Sequence, residues 1–194
     1  MNASLSPAAL PTGPVPPCPP GHPQHAVWSL LEAVVDPEIP VVNLREMGIL
    51  RAVEPDGDGG VTVVITPTYS GCPAMTQMTQ DVQRALQQAG VRARVVTRLA
   101  PAWSTDWISA PALAKLRDYG IAPPAPVPTD SACPATGGIA QSVVRLVPRH
   151  ATQVPCPHCG SSHTEQVSPF GSTACKALWR CLDCREPFDH FKPY

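Results

Sequence analysis

The chain has 194 residues, of which 26 are proline, about 13 % against a typical ~5 %. Eight prolines lie in residues 1–23 and five more in residues 123–134; neither stretch can be helix or central strand, because proline lacks an N–H and locks φ. Roughly 100 residues remain in the middle and about 55 at the end, which excludes a large enzyme barrel or a full-size dinucleotide fold and points to two small domains. Fourteen Lys and Arg against fifteen Asp and Glu leave a net charge of −1, not the basic balance of a chain that lives on phosphate backbones.

Residues 1–23 read as a disordered, proline-rich leader. It has no basic region of a signal peptide, and no apolar run is long enough for a membrane span. The expected setting is therefore cytoplasmic, where eight cysteines signify metal or redox chemistry rather than disulfides.

Val27, Leu30, Leu31, Val34 and Val35 follow the spacing of an amphipathic helix over Gln24–Asp36. Pro37 ends it by pushing the preceding residue out of the helical region. Asn43 to Met47 reads as a turn or short helix closed by Gly48. Ile49, Arg51 and Val53 alternate as a first strand, and residues 54–60 are a turn rich in Gly and Asp. Val61 to Thr66 is β-branched throughout and reads as a second strand paired to the first.

After the loop Pro67–Pro73, the residues Met75, Met78, Val82, Leu86 and Ala89 mark a second helix stopped by Gly90. Val91 to Leu99 is a third strand, with Arg92, Arg94 and Arg98 on one face. A loop with Trp103 and Trp107 precedes a last short helix over Ala112–Tyr119. The expected fold is α+β: an α-β-β-α-β-α domain over residues 24–122, a linker over 123–140 rich in Pro, Ala and Gly, and a cysteine-rich domain over 141–194. Gln141 to Val147 has strand character and fits either domain.

Cys156-Pro157-His158-Cys159-Gly160 and Cys181-Leu182-Asp183-Cys184 are two C-x₂-C pairs, the spacing of a zinc-ribbon-like knuckle. Four thiolates complete a tetrahedral zinc ion with no open position, so the expected role is structural. The segment has too few large apolar residues to fold without such a staple. Cys175 is a fifth thiol. It is either a packed cysteine or an extra ligand, in which case the site exchanges ligands or holds iron or an iron–sulfur cluster.

In the middle domain the candidate reactive residue is Cys72, just before the second helix. A helix N-terminus stabilises a thiolate, which predicts a nucleophile or a soft metal ligand; the alternative is a half-buried capping cysteine. Asp36 and Glu38 are candidate partners of the Cys72 loop, or else a solvated turn. Thr66 and Thr68 are candidate hydroxyls of the same site, or else turn hydroxyls. The chain carries no Glu-x-x-His motif of a diiron bundle and no Gly-rich phosphate loop.

The strings Asp36-Pro37-Glu38-Ile39-Pro40, Met47-Gly48-Ile49 and Thr66-Pro67-Thr68-Tyr69-Ser70-Gly71-Cys72-Pro73 resemble the metal–sulfur cluster assembly (SufT-type) domain family over about residues 25–122. With Phe170-Gly171-Ser172-Thr173-Ala174-Cys175-Lys176 and the ending Cys184-Arg185-Glu186-Pro187-Phe188-Asp189-His190, the whole is similar to the PaaD (PaaJ) family, a component of the phenylacetyl-CoA ring-epoxidase system. The resemblance implies an accessory in aerobic phenylacetate breakdown, not itself the hydroxylating component. It further implies help with an iron–sulfur cluster or diiron centre, with the oxygenase and reductase subunits as partners. Carried over, the reactive cysteine is Cys72 and the acidic motif is Asp36 and Glu38. Two other roles stay open: a structural oxygenase subunit, and a zinc-ribbon nucleic-acid binder. The second is disfavoured because Lys176, Arg180, Arg185 and Lys192 are balanced by Glu165, Asp183, Glu186 and Asp189.

Overall fold

A computed structural model describes residues 10–125 and 153–194. Helix α1 covers His25–Leu31 and so stops short of Asp36, where the apolar spacing places its end. Beyond it, β1 (Val35–Asp36) pairs antiparallel with β2 (Ile39–Asn43). The tight turn between them carries Pro37, and Asp36 Oδ1 accepts the amide protons of Glu38 at 2.7 Å and Ile39 at 3.1 Å. An Asx turn thus replaces the expected last helical turn, because the carboxylate offers those amides a local partner.

The central sheet is β3 (Leu50–Pro55), β4 (Val61–Ile65) and β5 (Ala93–Thr97), in the order β3-β4-β5. β3 and β4 form the expected antiparallel hairpin, with Val53 opposite Val63. β5 runs parallel to β4 with Val95 opposite Val63, which requires a crossover; α2 (Met75–Gln88) supplies it and buries Met78, Val82 and Leu86. All of β4 is buried, as a central strand covered on both faces should be. A 3₁₀ turn (Thr105–Trp107) and α3 (Ala110–Asp118) follow, the latter capped by Ser109, whose Oγ accepts from the Ala112 amide at 3.3 Å.

The remaining strands form a second sheet: β6 (Ile121–Ala122), β7 (Thr164–Ser168), β8 (Lys176–Cys181) and β9 (Pro187–Phe191), in the order β6-β9-β8-β7. β6, at the end of the first domain, pairs parallel with β9, Ile121 opposite Asp189 and Ala122 opposite His190. The two parts also share one core, in which Phe191 and Cys175 join Trp103, Met47 and Leu116. Trp103 seals the junction. Its indole donates to the Met47 carbonyl at 3.0 Å, and its ring packs 6.0 Å from Phe191 and 6.2 Å from Tyr194. The Thr105 amide then holds the Tyr194 main-chain oxygen at 3.2 Å. The strand expected at Gln141–Val147, and the linker beyond residue 125, lie outside the described residues.

The leader departs from expectation. Residues 10–23 lie against the first domain, with Leu10 and Val15 buried. A proline-rich stretch presents carbonyls but few N–H groups, so it needs donors, and two buried arginines provide them. Arg45 donates to the Val15 carbonyl at 2.9 Å. Arg51 donates to the carbonyls of Pro11 and of Gly13, the latter at 2.9 Å, while its guanidinium lies 3.8 Å over the Trp107 ring. Arg51→Ala removes those donors and the cation–π contact together, an expected loss of about 2 kcal/mol. Thermal unfolding should show a midpoint lower by roughly 4–8 °C, with new proteolytic cleavage within residues 10–23. An unchanged midpoint and an uncut leader would show that Arg51 does not hold it.

Candidate functional site

The four cysteines of the two C-x₂-C pairs converge. All four sulfurs lie within 4.8 Å of one another, with Cys156 to Cys184 at 3.7 Å and Cys159 to Cys181 at 3.6 Å. A tetrahedral ion with thiolate bonds of about 2.3 Å has ligand edges of about 3.8 Å, so this donor set fits one metal ion with no open position. The backbone prepares it. Gly160 at φ +77° turns the first knuckle, and its amide donates to the Cys156 carbonyl at 2.9 Å. In the second knuckle Arg185 takes the matching place at φ +70°, a left-handed conformation strained for a residue with a Cβ. The Cys184 amide, 3.5 Å from Cys181 Sγ, is the main reason that thiol is pulled down to about 6. Beside the cluster, Asp183 accepts from Ser161 and meets His163 at 3.0 Å, which ties the two knuckles together.

Cys175 is not part of that cluster. It immediately precedes β8, whose far end is the ligand Cys181. Cys175 is 5 % exposed, and its sulfur lies 3.0 Å from Thr173 Oγ1 and 3.9 Å from Glu38 Oε2. The expectation of an extra thiol for the four-cysteine site is thereby corrected: one strand separates Cys175 from it and delivers Cys175 to the first domain's acidic turn. The loop before Cys175 is built for this. Ser172 Oγ donates to Asp189 at 2.6 Å, and Lys176, 3 % exposed, lies 3.7 Å from the same carboxylate. A Cβ at Gly171 would collide with that carboxylate, which accounts for the glycine in the motif.

Cys72 lies in the turn ahead of α2, its amide bonded to the Tyr69 carbonyl at 3.2 Å. It is half-buried, and burial pushes its thiol up; the Ala74 amide opposes this, while Glu38, Cys175 and Asp36 add to it. The pull of the helix terminus, expected to stabilise a thiolate at Cys72, is opposed here. The sulfur sits outside the helix, and apolar surroundings and negative neighbours outweigh the one amide it receives. The Cys175 thiol is likewise pushed up by burial, with Thr173 opposing and Glu38 contributing.

Asp36 and Glu38 do face this place. Asp36 is 5 % exposed, and burial raises its pKa against the pull of the Glu38 and Ile39 amides and of Lys176. The Tyr69 and Tyr194 rings stack with centroids 6.4 Å apart. Both phenols are pushed up, by burial first and by Cys72 and Cys175 among the further causes. Thr66 and Thr68 are buried on the segment leading to Cys72. Thr66 Oγ1 has no hydrogen-bond partner, and among the described residues neither hydroxyl bonds to Cys72 or to the acidic pair. Sequence reasoning missed Tyr69, Lys176 and Tyr194. Tyr69 and Lys176 lie inside the motif strings that carry the family resemblance, whereas nothing in the chain marks its last residue as part of a site.

Comparison with known proteins joins these observations. Residues 140–192 match the family model described as the PaaD zinc beta ribbon domain, and residues 24–97 match that of an iron–sulfur cluster assembly protein. A protein of Escherichia coli (strain K12), named as a subunit of 1,2-phenylacetyl-CoA epoxidase, is 45 % identical over 169 residues, covering 87 % of this chain and 92 % of its own. The chain belongs to the PaaD family. Its first part alone is similar to an Fe-S protein maturation auxiliary factor of Porphyromonas gingivalis (strain ATCC BAA-308 / W83), 35 % identical over 45 % of this chain and 84 % of that protein. It is also similar to YitW of Bacillus subtilis (strain 168), a protein of the same description, 31 % identical over 42 % of this chain and 76 % of that one. In this PaaD-family chain Cys72, Asp36 and Glu38 lie in the part that matches the assembly-protein model, whereas Cys175 and Lys176 lie in the part that matches the ribbon model, with Tyr194 just after it.

Two outcomes test this geometry. Asp36→Asn keeps an acceptor for both amides and removes a buried charge. Because the folded-state pKa lies above the ordinary 3.8, the charge destabilises above that raised value and ceases to do so below 3.8. The variant should melt higher than the parent at pH 7, with the gain fading as the pH falls toward 3.8; a gain independent of pH would show that the charge is not the cause. Stripping the ribbon ion with a chelator should remove most of the ribbon's folding energy. Alkylation mapped by mass spectrometry should then find Cys175, protected beforehand, modified at least ~10-fold faster. Continued protection would mean the ion does not place it.

Proposed function

We propose that this chain is a non-catalytic accessory protein of the phenylacetyl-CoA ring-epoxidase system, acting in phenylacetate catabolism. It assists the assembly or maintenance of the iron–sulfur cluster of the reductase or the diiron centre of the oxygenase. The observation that carries this reading is the thiol site: Cys72, held with Glu38, Asp36 and Cys175 at the junction of the two parts, on a domain similar to maturation factors. Neighbouring thiols and carboxylates are donors for iron in transit. No Glu-x-x-His pair is present to hold a diiron centre of the chain's own.

In this reading the ribbon ion is zinc, held by Cys156, Cys159, Cys181 and Cys184. It supplies fold stability and no chemistry, since four thiolates leave it no open position. The residues that act are those of the thiol site. Cys72 gives up its proton as a soft ligand for iron in transit, and Asp36 keeps the acidic turn in shape through its two amide bonds.

The test is Cys72→Ala in cells expressing the whole system. The reductase and oxygenase purified from that strain should carry several-fold less iron and acid-labile sulfide than the parent's, while the variant retains one zinc per chain and no visible chromophore. Fully loaded client proteins would refute the maturation role and leave the chain a structural component.

A further inference from the structure

We propose that Cys175 is a second thiol ligand of the Cys72 site, forming with Glu38 a two-sulfur, one-carboxylate seat for a single borderline divalent transition-metal ion such as iron(II). The ribbon would then complete the first domain's site as well as being tethered to it. This rests on the reading of Cys72 as a metal-handling residue and adds the second sulfur, the third ligand and the class of ion.

The surroundings of Cys175 are the first argument. A buried spare cysteine behaves as a small hydrophobe among apolar side chains. Cys175, 5 % exposed and part of the shared core, also has a threonine hydroxyl at 3.0 Å and a carboxylate oxygen at 3.9 Å from its sulfur. Glu38 is the ligand candidate it meets, and it comes from a segment 137 residues away in the chain. The second argument is convergence. Cys72 packs from the turn before α2 against the core cluster that contains Cys175; its amide donates to the Tyr69 carbonyl at 3.2 Å, and the Tyr69 ring stacks on Tyr194 of the ribbon at 6.4 Å.

The third argument is mechanical. β8 carries Cys181, locked in the four-thiolate cluster, at one end and abuts Cys175 at the other. β8 is paired to β9 along its length, from Lys176 opposite Phe191 to Arg180 opposite Pro187. The Cys175 carbonyl also accepts from the Lys192 amide at 3.0 Å. The backbone of Cys175 is thus fixed, while Cys72 sits in a turn. The four ribbon cysteines are the set of described ligand atoms gathered within 4.8 Å. Cys175 Sγ and Glu38 Oε2 already stand 3.9 Å apart, while the three atoms together are not gathered within 4.8 Å; in the proposed seat, rotation of the Cys72 side chain brings its sulfur to the fixed Cys175. Two thiolates and one carboxylate suit a first-row divalent ion and leave a fourth position open. An open position suits a passing ion, whereas the closed ribbon set suits a resident one.

The test is anaerobic titration of the full-length, zinc-loaded chain with cobalt(II), whose thiolate charge-transfer bands report sulfur ligation. The parent should take up one cobalt with thiolate bands while retaining its zinc. Cys72→Ser and Cys175→Ser should each cut the charge-transfer intensity by about half and weaken binding at least ~10-fold. Glu38→Gln should weaken binding by roughly 10-fold with the sulfur bands kept. Cys18→Ser should change nothing. Zinc content and circular dichroism of each variant report folding, and Cys175→Ala repeats the test without a hydroxyl. Two results would overturn the proposal: no thiolate-bound cobalt in the parent, or parental binding by both Cys175→Ser and Cys175→Ala. If Cys72→Ala still depletes client iron in that event, the maturation reading survives and only the second ligand is lost.

Discussion

Four thiolates closing on one ion do for the ribbon what a core does for the first domain. The ribbon's buried cluster joins Val154, Cys156, Cys181 and Phe188 to Ala122 of β6, and two of its own four are candidate metal ligands, which leaves little apolar burial to hold three strands in register. From the ribbon, Phe191 reaches the shared core, Tyr194 reaches Tyr69, and Cys175 reaches Glu38.

The junction is built in the opposite way, from apolar contact and backbone pairing. Trp103 packs on Phe191 and Tyr194, and β6 adds a parallel edge strand to the ribbon sheet. A thiol site between two such parts inherits its low polarity. That environment raises the Cys72 and Cys175 thiols and the Asp36 carboxyl together, each chiefly through burial. Gathering uncharged thiols and a buried carboxylate costs stability, and a bound cation would offset it. Lys176, buried beside Asp189, is a built-in counterweight that acts on Asp36.

Much of the fold was legible in the chain. The hairpin, α2, α3 and the C-x₂-C pairs follow from β-branched runs, 3.6-residue periodicity and ligand spacing, all of which are local. The misreadings have physical causes. Val34 and Val35 fit a helical stripe, but the Asp36 carboxylate captured the amides of Glu38 and Ile39. The leader lacked any hydrophobic pattern, yet its carbonyls found the buried donors of Arg45 and Arg51.

By itself the sequence determined the α+β class and the two C-x₂-C pairs, because periodicity and ligand spacing are local patterns; Cys72, Asp36 and Glu38 were grouped only by family resemblance. Only the tertiary structure decided where Cys175 belongs. Six positions from Cys181 it reads as a neighbour of the metal cluster, but an extended strand rises about 3.3 Å per residue and carries it away to the opposite end of β8. The partner it finds there, Glu38, lies 137 residues earlier, a separation no local pattern can bridge.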